Sequence, residues 1–206
     1  MVGPHAAQPP GERPYRVFFL VGGLLVEQAV TVASLFMRLG DWRAVRIVLD
    51  QNDLLHVRTQ ASNDRVDREV LQRLRTLTPA EVAHVATAPD PDRRHLMWAA
   101  FARQYQFVAD FADHVVRDAS LLGARLMATD FDQFWRAQML RHIELRHQMP
   151  STRSRLRANL FLALREAGLL TTKGRVVTAS LSPRVTDFLS ARTPSDLRFF
   201  PLGAMW

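Results

Sequence analysis

The sequence predicts an all-α protein built as a multi-helix bundle, and three observations predict it. Apolar residues recur at spacings of three and four through most of the chain; the stretches that carry them open on Ser, Thr or Asp and stop at Gly; and one brief pair of β-prone runs, near 169–178, interrupts the pattern.

Taken in order, residues 1–16 read as a flexible tail, because MVGPHAAQPPGERP is dominated by Pro, Gly and polar residues. An N-terminal helical module is expected over 17–88. Its first helix runs from the end of the tail to Leu39, with Leu25, Ala29, Val32, Phe36 and Leu39 along one face. The same stretch, VFFLVGGLLVEQAVTVASLFM, is long enough to span a bilayer, yet Glu27, Gln28 and the paired glycines make it a core helix instead. Gly40 stops it and Asp41 caps a short helix through Trp42, Val45, Val48 and Leu49. The next begins near Ser62 and lines up Val66, Val70, Leu74 and Leu77, and Thr78-Pro-Ala-Glu81 reads as a capping box with Pro at the first helical position.

A central helical segment, 89–128, follows the loop at 88–92: one long helix to about Asp118, with Met97, Phe101, Val108, Ala112 and Val115 on a wide apolar face. The C-terminal module, 129–206, opens with a helix at Thr129. Pro150 separates it from another, where Leu156, Leu160, Ala163, Leu164 and Ala167 form the core stripe and Gly168 is the stop. Two short β-prone runs then flank a Lys-Gly turn, and a last helix spans Ser182 to about Ala191.

Helix, glycine stop and basic hairpin in that order is the sequence form of a winged helix-turn-helix, so a small β-hairpin wing is expected after the helix. Charge points the same way. Residues 1–100 hold 12 Arg against 11 acids, whereas Gln133 to Val176 carries nine cations against Glu144 and Glu166 alone. An acid-poor helix start is not what the macrodipole favours, and Ser151, Thr152, Arg153, Ser154, Arg155 and Arg157 there suit phosphates and base edges. Lys173 and Arg175 sit on the expected wing. A possible second surface, with a helix-turn-helix-like N-terminal module behind it, comprises Arg58, Thr59, Ser62, Arg65, Arg68 and Arg75. Asp64, Asp67 and Glu69 interleave with it, and Asp64–Arg68 and Arg65–Glu69 are spaced as helical ion pairs, which favours a self-neutralised solvated face.

Enzyme chemistry finds little support. The absence of Cys excludes disulfides, thiolate nucleophiles and Cys-ligated metals, and no GK[ST] loop, GxGxxG, GxSxG or HExxH is present. Asp110, Asp113 and His114, or His142 with His147, could be imagined around a metal, but a spacing of five does not align two imidazoles on a helix, and no metal or cofactor is expected. Trp98, Phe101, Tyr105, Phe107 and Phe111 lie in the most apolar helix and read as core.

Four blocks, GGLLVEQAVTVASLFMRLGDWRAVR, LLHVRTQASNDRVDREVLQRLRTLT, LMWAAFARQYQFVADFADHVVRD and PSTRSRLRANLFLALREAGLL, cover most of residues 22–170 in a single order. In this the chain resembles the BrxA family of BREX (bacteriophage exclusion) phage-defence systems. It departs from the family at Asp53, at Ala102 and in the N-terminal tail, none of which touches the basic helix. The resemblance implies a cytoplasmic, non-enzymatic, all-helical protein that binds double-stranded DNA, works with other BREX proteins, and has winged-helix-like modules near both ends; it implies neither a membrane nor a small-molecule substrate. An assembly adaptor docking its basic helix on an acidic protein, and a structured-RNA binder, are the alternatives the residues leave open.

Overall fold

The computed structural model describes residues 15–51 and 60–203, and among these every regular element is helical. Helix α1 (Val26–Leu39) ends at Gly40, whose φ of 67° only glycine adopts readily, and whose N–H closes on the Phe36 carbonyl. Asp41 then accepts from the Ala44 N–H at 3.0 Å, starting α2 (Trp42–Gln51). Backbone N–H donation to Asp41 holds its carboxyl below the ordinary aspartate range. Helix α3 (Gln60–Leu74) buries Val70 and Leu74 on the expected face. The Thr78–Glu81 capping box opens α4 (Pro79–Thr87) as its sequence dictates, with Thr78 Oγ1 accepting from the Glu81 N–H and Glu81 from the Thr78 N–H.

Helix α5 (Asp90–Gln104) is the spine of the bundle. Every residue from His95 to Ala102 is buried, so it has no solvent face along its second half, and it packs against α3 and α4 and also against α9 (Pro150–Glu166) and α10 (Pro183–Ser190). Its apolar surroundings are aromatic: Phe19, Phe101 and Tyr105 meet edge to face, and Phe107, Phe111, Phe131, Phe134 and Trp135 continue the cluster toward the C-terminal half.

Three expectations are corrected here. First, the N-terminal helix does not begin after the tail. Residues 15–20 are extended, with Tyr15, Val17 and Phe19 buried and Arg16, Phe18 and Leu20 exposed, a period of two rather than 3.6. Gly22 and Gly23 let the chain press against α9 (Pro150–Glu166), where a Cβ would lie 2.7 Å from Asn159 Oδ1 and 2.8 Å from Glu166 Oε2. Asn159 donates to the Phe19 carbonyl and Glu166 accepts from the Leu24 N–H, replacing the ladder a lone extended segment lacks.

Second, the long helix expected to reach Asp118 breaks at Tyr105 (φ −124°, ψ 107°). Its hydroxyl donates to Glu69 and the following Phe107 N–H turns to the Arg16 carbonyl, so tertiary partners replace helical ones. The chain resumes as α6 (Gln106–Asp110), widens into a π-helical stretch (Phe111–Val116) and ends as α7 (Arg117–Leu121). Third, no strand hairpin forms among the described residues. After α8 (Ala128–Met139) and α9, the expected wing is reduced to isolated antiparallel bridges, Leu170 with Val176 and Arg125 with Arg175, because the paired runs are too short to extend a ladder. Ser182 caps α10 (Pro183–Ser190) by accepting from the Val185 N–H, and a 3₁₀ turn (Asp196–Phe199) returns the chain to α5, where Trp98 Nε1 donates to the Phe199 carbonyl at 2.9 Å.

Candidate nucleic-acid interface

Helix α9 is held by its buried stripe of Leu156, Leu160, Ala163 and Leu164, which fixes the direction of everything on its opposite side. Pro150 occupies the first helical position, where its missing N–H costs no hydrogen bond, and no acid lies in the first turn. Ser151, Ser154 and Arg155 are exposed, and Thr152, Arg153 and Arg157 are half-buried.

The last two arginines are not free. Asp132 on α8 accepts from Arg157 Nη1 at 2.9 Å and lies 3.8 Å from Arg153 Nε, so one carboxylate aligns two guanidinium groups along the helix start and offsets one of their charges. Arg155 has no ion pair among the described residues. Asn159, one turn on, is committed to the Phe19 carbonyl at 2.9 Å.

Lys173 and Arg175 are exposed on the turn that follows. Its geometry is closed locally: the Gly174 N–H donates to the Thr171 carbonyl, the Arg175 N–H to Thr171 Oγ1 at 3.0 Å, and the Thr171 N–H back to the Arg175 carbonyl. Gly174 is required twice, by its φ of 79° and by the Leu126 carbonyl, 2.8 Å from where a Cβ would stand. The Leu126 N–H in turn donates to the Gly174 carbonyl at 2.8 Å. This contact brings Arg125, exposed and also without an ion pair among the described residues, beside Lys173 and Arg175. Sequence reasoning missed Arg125, since it lies in a loop far from the turn and only the bridge to Arg175 joins them.

Other cations of the basic stretch have structural work. Arg146 donates to the carbonyls of Met139 and Leu140 at the end of α8. Arg136, Arg141 and Arg165 are exposed.

Of the second candidate surface, Arg58 and Thr59 lie outside the described residues, and Ser62 is placed within α3. Arg65, Arg68 and Arg75 are exposed. The expected Arg65–Glu69 pair is replaced: Glu69 is buried and bonds Arg73 Nε and the Tyr105 hydroxyl, each at 2.7 Å. Burial, and then the Glu69 charge, push the Tyr105 hydroxyl well above its ordinary pKa. Arg73, which the sequence does not set apart from its neighbours, is fully buried, with its guanidinium 4.2 Å from the centre of the Phe101 ring and bonded to the Gly23 carbonyl.

Asp110, Asp113, His114 and His142, weighed for a metal, have other partners. Asp110 accepts from the Tyr15 hydroxyl and Gln106, Asp113 pairs with Arg117, and His142 stacks on Tyr15 at 3.6 Å. Among the described residues no group of three or more His, Asp or Glu side chains is placed to hold a metal ion, and no helix is long and apolar enough to cross a membrane.

Comparison with known proteins adds two findings. The family model described as BrxA matches residues 13–193. A crystal structure of an uncharacterized protein from Magnetospirillum magneticum superposes with a TM-score of 0.76 at 20% identity, covering 92% of this chain and 99% of that one, which establishes a shared fold. No curated protein matches the sequence.

Proposed function

The chain belongs to the BrxA family, and we propose that within BREX-type phage defence it is a non-enzymatic, cytoplasmic accessory protein that binds double-stranded DNA. Membership of the family points to the defence role; the DNA reading rests on the surface. The observation that carries it is a set of exposed cations without an ion pair among the described residues: Arg155 at the start of α9, and Lys173, Arg175 and Arg125 at the turn after it, where the Arg125–Arg175 bridge joins two separate loops. The order of elements supports a winged-helix reading: helix 106–121, the bridge at Arg125, α8, α9, and a turn whose two sides bridge each other and Arg125. Asp132 then acts as a positioning residue, setting Arg153 and Arg157 toward phosphates on either side of Arg155.

The binding is expected to be indifferent to sequence. No Asn or Gln precedes Asn159 on α9, and Asn159 is occupied, so bidentate adenine contacts have no donor there. The remaining partners are other proteins of the defence system. Fluorescence anisotropy of labelled duplex across a salt series tests the reading: about five phosphate contacts give a slope of log K against log salt of about −4.5. A slope near zero, or preference for structured RNA in competition with duplex DNA, overturns it.

A further inference from the structure

The segment that follows α10 folds back beside α7 and leaves a cleft of about 480 Å³ lined by both. Its walls are apolar, from Leu121, Leu197, Phe200 and Leu202, and two arginines, Arg117 and Arg198, enter it; none of the described residues lining it is acidic. Arg198 has no ion pair among the described residues. Its guanidinium lies 4.8 Å from the centre of the Phe199 ring, and its Nε is buried without a hydrogen bond. Arg117 has one partner, Asp113 at 3.0 Å on the preceding turn. The backbone on either side of Phe200 is tied to the core, because Trp98 donates to the Phe199 carbonyl and the Pro201 carbonyl accepts from the Ala179 N–H.

The rim is unusual for a free surface. Leu121 is 64% exposed and Leu122 80%, and Leu122 lines an adjoining groove with Val115, Ala119 and Phe134, whose rim also carries Asp118, Asp130 and Arg125. Adjacent leucines between two clefts make a contiguous apolar patch of the kind that marks an interaction site. The paired guanidinium groups say which partner fits. A second copy of this chain, itself carrying a net charge of +7, would bring cation against cation, and a nucleic-acid backbone has nothing to set against leucine walls.

We propose that this cleft docks an acidic segment of a partner protein, with carboxylates on Arg198 and Arg117 and interleaved apolar side chains over Leu121, Leu197 and Leu202. The proposal is independent of the DNA reading. It places the docking function of an assembly protein in this cleft rather than on the basic helix.

The test uses the full chain and a short fluorescein-labelled synthetic peptide in which Asp and Glu alternate with Leu and Phe, followed by anisotropy. The peptide is expected to bind, its Lys-for-acid counterpart is not, and Arg117→Glu with Arg198→Glu is expected to weaken binding by about tenfold or more. Since Arg198 packs on Phe199, Leu121→Asp supplies a second variant at an exposed position, and it too should weaken binding. Arg155→Glu should leave peptide affinity unchanged. Absence of binding, equal binding of the Lys peptide, or loss in Arg155→Glu with retention in Arg198→Glu would overturn the proposal, as would displacement of the peptide by duplex DNA.

Discussion

Arginines packed among α3, α4 and α5 and arginines around α9 and the turn after it serve opposite ends, although in the sequence they look alike. Arg73 and Arg103 are pulled inside: Arg73 by Glu69, the Gly23 carbonyl and the Phe101 ring, Arg103 by two hydrogen bonds to Glu81 and one to Asp196 at 2.6 Å. Arg192 leans on the same two acids, so α4, α5 and the C-terminal 3₁₀ turn share one charge network. Arg155, Arg175 and Arg125 have no ion pair among the described residues and are exposed. The lesson is that a guanidinium becomes structural or functional according to the carboxylates the fold brings to it, and a local count of charges does not reveal which.

The largest effect that would sharpen this contrast comes from the buried network. Arg103→Ala or Glu81→Ala strands charges in the core and should lower the unfolding free energy by about 3–5 kcal/mol, read by chemical denaturation. Arg155→Ala should change it by no more than about 0.5 kcal/mol. Acid acts on the same network. Burial alone would raise the Glu81 pKa, but the hydrogen bonds from Arg103 and the Thr78 N–H, with the Arg103 charge, outweigh it and hold the carboxyl below its ordinary value of 4.5. A depressed folded-state pKa contributes stability above the unfolded value that is lost as pH falls through the folded one. Denaturation curves collected downward from pH 5 should therefore show a fall in stability that Glu81→Gln flattens.

On the exposed side, replacing Arg153, Arg155 and Arg157 together with Glu should weaken duplex binding by about a hundredfold or more while the protein stays folded. Loss of folding with unchanged DNA affinity in the folded fraction would break the comparison. Gly174→Ala should cost about 1–2 kcal/mol from its left-handed conformation. Its closeness to the Leu126 carbonyl predicts faster hydrogen exchange at Leu126 as well. The smallest effect is expected from Arg65→Ala, Arg68→Ala and Arg75→Ala combined, a change in DNA affinity of about threefold or less, because isolated surface charges are screened. A loss equal to that of the α9 triple variant would join the N-terminal face to the interface.

Much of this fold was legible residue by residue. Gly40 with Asp41, the Thr78–Glu81 box, the Gly168 stop and the Ser182 cap all act within a single turn, so their neighbours in sequence are their partners in space. The stripe on α9 was equally readable, and its spacing alone turns Ser154, Ala158 and Arg165 away from the core, where they are exposed. The extended run at 15–20 was not, because its apolar content also fits a helix and its true partners, Asn159 and Glu166, come from the far end of the chain. The wing was anticipated as a hairpin and exists as bridges, because its paired runs are too short to extend a ladder, and the contact with Arg125 and Leu126 comes from a loop that the turn's own sequence does not indicate.

By itself the sequence determined the helices, their caps and the concentration of positive charge in the C-terminal half, because capping and periodicity are interactions between near neighbours. Which arginines are buried, which carboxylate steadies Arg153 and Arg157, and how Arg125 comes to stand beside Lys173 were decided by the tertiary structure alone. Charges act over distances that chain separation does not measure, and only packing brings Glu81, Asp132 and Asp196 to Arg103, Arg153 and Arg157.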